Sequence, residues 1–538
     1  MHWRAIFRKE WIKLRWAVLG LVIFAVGLGA FFWFRLDLAF KSVEPESMMW
    51  YRFAQLEDKP YASCIWFAVF SGVILALVQF LPEAIRNRVR ILTHLPVPLP
   101  GLVARHLCIG SFFLALVCGL LGSLIVFSVS RMYPAEVVQV AVKDVLFWLI
   151  PAFGMYLGLS GAIIEQKDGK RVVRLLGAVV FSVLFVKERY ESVDLVGVVA
   201  LLWLAWGVYD GFLSVKTKTL TNPVYLSGYL LLALLIGVMG THAWKRQFPQ
   251  AEEKFYIFYS PLLSTFVYQK NGIGHQFEYG TQSVRFDKAA YEAALPFVFW
   301  KNLDIQGKLP IVIEDEVFDK DRIQSSRLSL QYDFDMIRSP EVQLYPFFNP
   351  QSHVGVIPFP EESLVVKKDH MRVYDCDTAD INLPLTQEVN QVLQNAGLSF
   401  PIQDIWGKTT NMKPYDWGYF IKDQKGALFN LRRQNDAVTA TRLPLPGDVK
   451  DVVFMRISEN KQQNFYGYAI TDDSRVFLVA YPDYTFIPLK LHDFNYKTVR
   501  FQLLSDPLHY LVRYDNDHWY RATLFDKTYH FLLESEFR

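Results

Sequence analysis

The sequence predicts an α-helical polytopic membrane bundle of about seven transmembrane helices, followed by a mainly-β, propeller-like extracytoplasmic domain. Long apolar runs fill the first 244 of the 538 residues and do not recur afterwards. A run of about 18 or more apolar residues is long enough to cross a bilayer. Beyond residue 250, short aromatic and β-branched runs alternate with Asp, Asn and Gly turns, which is typical of many short strands.

The membrane-spanning region is predicted to cover residues 17–244. Its seven spans are expected at residues 17–34, 61–81, 106–130, 145–164, 172–186, 195–213 and 224–244. The apolar cores of the fifth and sixth reach only about 18–23 Å at the rise of an α-helix, less than the roughly 30 Å hydrocarbon core. This pair is therefore either two short spans or a re-entrant hairpin, and both alternatives return the chain to the same side.

The distribution of basic residues predicts the orientation. The net charge of +3, from 56 basic and 53 acidic residues, gives no general reason to expect nucleic-acid binding. Lys and Arg concentrate in the N-terminal segment and in the second, fourth and sixth connections, which places the N-terminus in the cytoplasm. Seven crossings then put residues 250–538 outside. Lys245 and Arg246 argue against this, but a large downstream domain is translocated largely regardless of local charge.

The first 16 residues are predicted to form an amphipathic helix on the membrane surface. Trp3, Phe7 and Trp11 recur at helical spacing on one face, whereas Arg4 and Arg8 lie on another. Such a helix places its apolar face in the lipid and its basic face toward anionic headgroups. The alternative is an ordinary basic flank of the first span.

The connection between the second and third spans, residues 82–100, combines basic residues with prolines that stop a helix. A short basic helix followed by a rigid turn could dock onto a partner, and the alternative is an ordinary cytoplasmic loop. We call residues 82–100 the coupling segment. Its candidate contact residues are Arg86, Arg88, Arg90, His94 and Pro96.

Residues 1–213 resemble the membrane subunits of ABC-2-type transporters. The resemblance rests on the N-terminal amphipathic helix, the short helix pair at Leu175–Tyr209 and the run from Arg86 through Arg88, Arg90 and His94 to Val97. It implies a bacterial inner-membrane location, a separate cytoplasmic ATP-binding subunit and a homo- or hetero-dimer of membrane subunits. The seventh span and the appended domain depart from the family's six-span layout.

The chain itself is not expected to hydrolyse ATP. A phosphate-binding loop requires G-x-x-x-x-G-K-[ST], and the nearest approach, Gly169-Lys170-Arg171, lacks the upstream glycine and the hydroxyl residue. Charged residues are almost absent from the predicted spans, which disfavours an ion-coupled carrier. We therefore predict a non-enzymatic permease-like subunit without a cofactor.

The back half carries a hairpin repeat. Gly418–Asp423 is echoed by Gly467–Asp472 and, more weakly, by His509–Asp515. A spacing of about 40–50 residues between hairpins is typical of propeller blades. We predict repeats at residues 415–457, 464–505 and 508–535.

No catalytic or metal site is predicted in the back half. Asp472 and Asp473 are interpreted as turn residues, since Asp side chains bond the local backbone. The four cysteines form no CxxC pair, and no H-E-x-x-H occurs.

Residues 255–500 are similar to an uncharacterised family of bacterial extracytoplasmic domains through Leu295–Pro310 and Lys413–Phe420. The alternative function is a membrane-anchored extracytoplasmic binding or sensing protein without transport, and an extracytoplasmic enzyme is less favoured.

Overall fold

A computed structural model describes residues 2–85, 88–94, 96–187, 194–217, 254–272, 276–516 and 518–537, with isolated positions between 230 and 247. The chain divides into two compact units, Met1–Pro249 and Gln250–Arg538. The first unit is helical and the second is mainly β.

The helices of the first unit have the following bounds: α1 His2–Lys41, α2 Ser47–Gln55, α3 Ile65–Ala84, α4 Val89–Thr93, α5 Leu99–Ser130, α6 Ala135–Phe147, α7 Leu149–Ile164, α8 Asp168–Lys187 and α9 Asp194–Thr217. A single 3-10 turn, Ala62–Cys64, precedes α3. The long helices coincide with the apolar runs of the sequence, because a helix satisfies every backbone hydrogen bond internally.

Five candidate membrane spans, not seven, lie among the described residues. By length and apolar composition they are Trp3–Lys41, Ala62–Ala84, Leu99–Ser130, Ala135–Ile164 and Gly197–Val215. The predicted span 172–186 is helical within α8, but charged residues occupy the first two turns of that helix, and it is not one of the five. The predicted span 224–244 falls outside the described residues except at isolated positions. The helices indicate a membrane anchor.

Helix α1 is continuous from residue 2 to residue 41, without a break after residue 16. Its 40 residues reach about 60 Å at the rise of an α-helix, about twice the thickness of the hydrocarbon core. A vertical α1 would therefore extend well beyond the apolar layer. The membrane-surface position of residues 1–16 stays a prediction, now for the first part of a longer helix.

Helices α3 and α7 pack at close range. A Cβ atom added to Gly72 would lie 2.5 Å from the carbonyl oxygen of Ala152. Seven residues further along α3, the Gln79 side chain accepts a hydrogen bond of 2.7 Å from the Tyr156 hydroxyl of α7. Both helices therefore run in the same direction, and the small residues permit the backbone contact that is common between membrane helices.

The described residues of the second unit form five antiparallel sheets and one two-stranded ribbon. The first sheet consists of β1 Lys254–Ser260, β2 Thr265–Asn271, β3 Phe277–Gly280 and β4 Arg285–Phe286. The ribbon consists of β5 Ile311–Ile313 and β6 Glu316–Phe318. The second sheet consists of β8 Leu344–Pro346, β9 Glu362–Val366, β10 Met371–Asp375 and β11 Asp380–Ile381.

The last three sheets occupy the C-terminal third of the chain. The third consists of β12 Asp404–Trp406, β13 Tyr419–Lys422, β14 Leu428–Gln434 and β15 Ala437–Arg442, and the fourth of β16 Val452–Ile457, β17 Phe465–Thr471, β18 Val476–Ala480 and β19 Phe486–Leu489. The fifth consists of β20 Arg500–Ser505, β21 Tyr510–Asp515, β22 Tyr520–Phe525 and β23 Phe531–Phe537, with β7 Leu328–Tyr332 added beside β20. Short helices lie between the strands: α10 Lys288–Ala294, α11 Trp300–Ile305, α12 Lys320–Ser326 and α13 Leu383–Asn395.

Shared hydrophobic cores show which sheets are neighbours. One core joins Leu364 of the second sheet to Leu431 of the third, and the next cores join the third sheet to the fourth and the fourth to the fifth. A further core joins Ile257 of the first sheet to Leu524 of the fifth. Within the described residues the series is open, because no core cluster joins the first sheet to the second. The mainly-β part of the prediction is confirmed, whereas a closed propeller is not shown.

The predicted hairpin repeats fall on equivalent strands. The motifs at Gly418 and His509 lead into β13 and β21, and the motif at Gly467 lies within β17; these are the second strands of the last three four-stranded meanders. Gly418 has a φ of +70°, and a Cβ there would lie 2.1 Å from the carbonyl oxygen of Leu431. Glycine is therefore required at this strand entrance by both backbone conformation and space.

Candidate functional site

The coupling segment connects α3 to α5 through the five-residue helix α4. The side chains of Arg88, Arg90, His94 and Pro96 are exposed, and Arg86 lies outside the described residues. On the other face of α4, Val89, Leu92 and Thr93 are buried, and this helix packs against α9. The buried face fixes the helix to the bundle and leaves its basic side chains accessible.

A set of polar side chains connects four helices next to this segment. We call it the polar cluster, and its members are Lys9, Glu10 and Lys13 of α1, Gln79 and Glu83 of α3, His106 of α5 and Tyr156 of α7. The Lys13 ammonium lies 2.7 Å from the Glu10 carboxylate and 3.1 Å from that of Glu83. Lys9 pairs with Glu83 at 2.6 Å, and His106 Nδ1 lies 3.1 Å from Glu10.

Neutral groups extend the polar cluster into the bundle. The Lys13 ammonium donates to the Gln79 carbonyl at 3.0 Å, and the Gln79 side-chain amide donates to the His106 carbonyl at 2.8 Å. The Glu10 side chain is 0 % exposed. Because burying a charge is costly unless it is paired and hydrogen-bonded, Glu10 requires these partners in order to remain ionised.

Helices α7, α8 and α9 meet through a second buried ion pair. The Arg174 guanidinium lies 2.6 Å from Glu165 and 2.7 Å from Asp210, and it donates to the Gly161 carbonyl at 3.0 Å. Arg174 and Asp210 lie within the predicted spans 172–186 and 195–213. The prediction that charged residues are almost absent from the spans was therefore incomplete. In the structure, these charged residues pair with one another between helices.

A buried ionic cluster also lies in the second unit. The Lys413 ammonium lies 2.5 Å from Asp416 and 3.3 Å from Glu459, and the Glu459 carboxylate accepts a hydrogen bond of 2.8 Å from the Trp417 backbone N–H. Burial raises the pKa of Glu459 to about 7, with Asp416 acting in the same direction and Lys413 in the opposite one. The Lys413 ammonium also lies 3.9 Å from the centre of the Phe348 ring.

Aromatic side chains surround Trp417, beside this ionic cluster. Tyr415 stacks on Trp417 at 5.7 Å, Tyr481 lies 5.0 Å away, and Arg432 lies 5.1 Å from the Trp417 ring. The stretch Lys413–Phe420, singled out in the sequence for its resemblance, thus places two charged residues and an indole in the interior. No nucleophile–base pair is formed by these residues, and their packing indicates a structural role.

The sequence analysis predicted neither the polar cluster nor the ion pairs of Arg174 in the membrane unit. One signal was available, since Glu10 is the one acidic residue in the basic N-terminal segment and lies three positions before Lys13. Spacing of three or four residues places opposite charges on one helix face. Metal-binding geometry is absent from the described residues, where no group of three or more His, Cys, Asp or Glu side chains could hold an ion.

Comparison with known proteins gives a family match for the second unit. No curated protein matches the chain. Among solved structures, PorZ, an essential bacterial surface component of the type-IX secretion system of Porphyromonas gingivalis, aligns at 13% identity over 52% of this chain and 26% of PorZ. The chain thus spans about a quarter of PorZ, and at a TM-score of 0.18 the alignment carries no argument. Residues 256–523, which lie in the second unit, match the family described as Domain of unknown function (DUF4857).

Proposed function

We propose that this chain is the membrane subunit of an ABC-2-type transport complex that a separate cytoplasmic ATPase energises. The observation that carries the proposal is the exposed basic face of α4, which is fixed by three buried residues between two candidate membrane spans. An ATP-binding subunit would contact Arg88 and Arg90 there. In this proposal the N-terminus is cytoplasmic, and the second unit lies outside the bacterial inner membrane.

The polar cluster supports the proposal because it lies at the base of the coupling segment. Glu83 is five residues before Arg88 and pairs with both Lys9 and Lys13 of α1. In this proposal, a displacement of α4 by a docked ATPase reaches α1 through the ion pairs of Glu83. A dimer of membrane subunits and the surrounding bilayer, contacted by Trp3, Phe7 and Trp11, complete the proposed assembly.

The second unit would bind the substrate or a partner on the extracytoplasmic side. Its successive four-stranded meanders support a propeller-like arrangement, in which loops at one end of the sheets form the binding face. The alternative function, a membrane-anchored binding or sensing protein without transport, draws on the same unit. Removing residues 250–538 separates the two, since a transport core would still stimulate ATP hydrolysis and a sensor would lose all function.

The test is reconstitution of the chain with the candidate ATP-binding subunit and measurement of ATP hydrolysis. We expect the double substitution R88E/R90E to abolish stimulation by the membrane subunit while expression and folding persist. The matched control is R131E/K143E, which changes two exposed basic residues elsewhere in the same unit. Equal stimulation by the wild type and R88E/R90E would refute the docking role of α4. A reporter fused at Arg538 tests the proposed topology independently.

A further inference from the structure

We propose that the second unit binds a small dianion, a dicarboxylate or a phosphate, in a cavity between the first and fifth sheets. The cavity has a volume of about 310 Å³ and is lined by residues of β1, β7, β20, β21 and β22. This volume equals the bulk-liquid share of about ten water molecules. It therefore accommodates a ligand of succinate size.

The cation that carries the proposal is Arg513, on β21. Its Nε and Nη2 atoms both donate to the Gln502 side-chain oxygen, at 2.8 Å for Nε. Gln502 is held in turn, because its amide donates to the Ser329 hydroxyl at 2.7 Å. The guanidinium is also stacked, since it lies 5.2 Å from the Tyr256 ring and 5.1 Å from the Phe258 ring. Its orientation is thus fixed by a neutral amide and two aromatic rings.

Arg513 lacks a paired carboxylate within the described part of the chain. Its Nη1 atom is shielded from solvent and has no hydrogen-bond partner there. A buried charge without a counterion is costly, which favours a bound anion beside it. Burial lowers the pKa of Arg513, partly offset by Tyr256, Tyr291 and Asp515. Burial away from water makes the charged guanidinium costly, and a bound anion would offset the same cost.

The other charges of the wall are mostly compensated. Arg500 pairs with Asp333 at 3.2 Å, and Asp515 is its cross-strand neighbour. Arg521 pairs with Asp493 and Glu536, both at 2.8 Å. Lys254 lines the cavity and has no ion-pair partner among the residues that the structure describes. Arg513 and Lys254 thus form no ion pair among the described residues, and the proposed dianion would pair with both.

The experiment is isothermal titration of the full chain in detergent with succinate, with inorganic phosphate and with succinamide. Succinamide has a shape close to that of succinate but no charge. We expect succinate or phosphate to bind and succinamide to bind at least about tenfold more weakly, since a contact with a charged group typically changes affinity by about 10–100-fold. Binding of succinate alone identifies a dicarboxylate site, and binding of phosphate alone identifies a phosphate site.

Three variants locate the site. R513Q should weaken binding at least about tenfold, and R513K should also weaken it, because an ammonium cannot make the two contacts to Gln502 that orient the guanidinium. K254Q changes an exposed residue and tests the cavity even where Arg513 variants fold poorly. R475Q is the control, since Arg475 forms its ion pairs on another sheet with Asp448 and Asp473. The proposal is overturned if neither anion binds, if succinamide binds as well as succinate, or if R513Q and K254Q both bind like R475Q.

Discussion

Lys413 and Glu459 form an ion pair of 3.3 Å although both side chains are 0 % exposed. Asp416 completes the cluster, so one buried ammonium faces two carboxylates. The cluster joins the loop before β13 to the chain after β16, and thereby connects the third sheet to the fourth. Its charge balance depends on protonation, which makes the stability of the second unit dependent on pH.

The first prediction concerns the pH dependence of stability. Burial raises the pKa of Glu459 from 4.5 to about 7 in the folded protein. Between these values the folded state binds a proton that the unfolded state has lost, so the free energy of unfolding falls as pH rises from about 4.5 to about 7. We expect E459Q to remove most of this slope, as measured by urea unfolding of the full chain in detergent at several pH values. An unchanged slope in E459Q would contradict the assignment.

The second prediction concerns the ammonium of the same cluster. K413M leaves Asp416 and Glu459 buried without their cation, and breaking a buried pair typically costs about 3–5 kcal/mol. We expect a loss of this order in urea unfolding, followed by tryptophan fluorescence. The control is K461M, since Lys461 is exposed and such substitutions usually change stability by less than about 0.5 kcal/mol. Similar stabilities for both variants would show that the pair contributes little.

The sequence was sufficient for features that depend on neighbouring residues. Apolar run length predicted the long helices, and the hairpin repeat predicted equivalent strands, because turns such as Gly418–Asp423 are defined locally. Pairing between distant residues was not predictable in the same way. Lys13 and Glu83 are 70 residues apart, and each belongs to a charged flank that by itself indicates a solvated end of a span.

The sequence pattern also could not predict which sheets are neighbours. Strand β7 pairs with β20 although about 170 residues separate Gln331 from Gln502. The first sheet packs on the fifth, and the repeat spacing carries no information about that contact. The candidate dianion site depends on both arrangements, since Tyr256 and Arg513 meet only after the two sheets associate.

The third prediction concerns the polar cluster of the membrane unit. K13M removes the cation shared by Glu10 and Glu83, and we expect a loss of about 3 kcal/mol in stability, measured as a lower Tm in detergent. The control is K41M, because Lys41 forms an exposed ion pair with Asp37 on the same helix, and such pairs contribute about 0–1 kcal/mol. A double-mutant cycle with E83Q should give a non-additive energy. Additive losses would mean that Lys13 and Glu83 act independently.

The fourth prediction concerns the contact between α3 and α7. G72A introduces a methyl group 2.5 Å from the Ala152 carbonyl oxygen, which is backbone and can move only if the helices separate. The control is G119A in α5, where no atom lies within 4 Å of the added Cβ. Alanine is favoured over glycine in a helix by about 1 kcal/mol, so G119A should keep or raise the Tm in detergent. We expect G72A to lower it despite the same gain in helix propensity. Equal Tm values for the two variants would show that α3 and α7 do not pack at this distance.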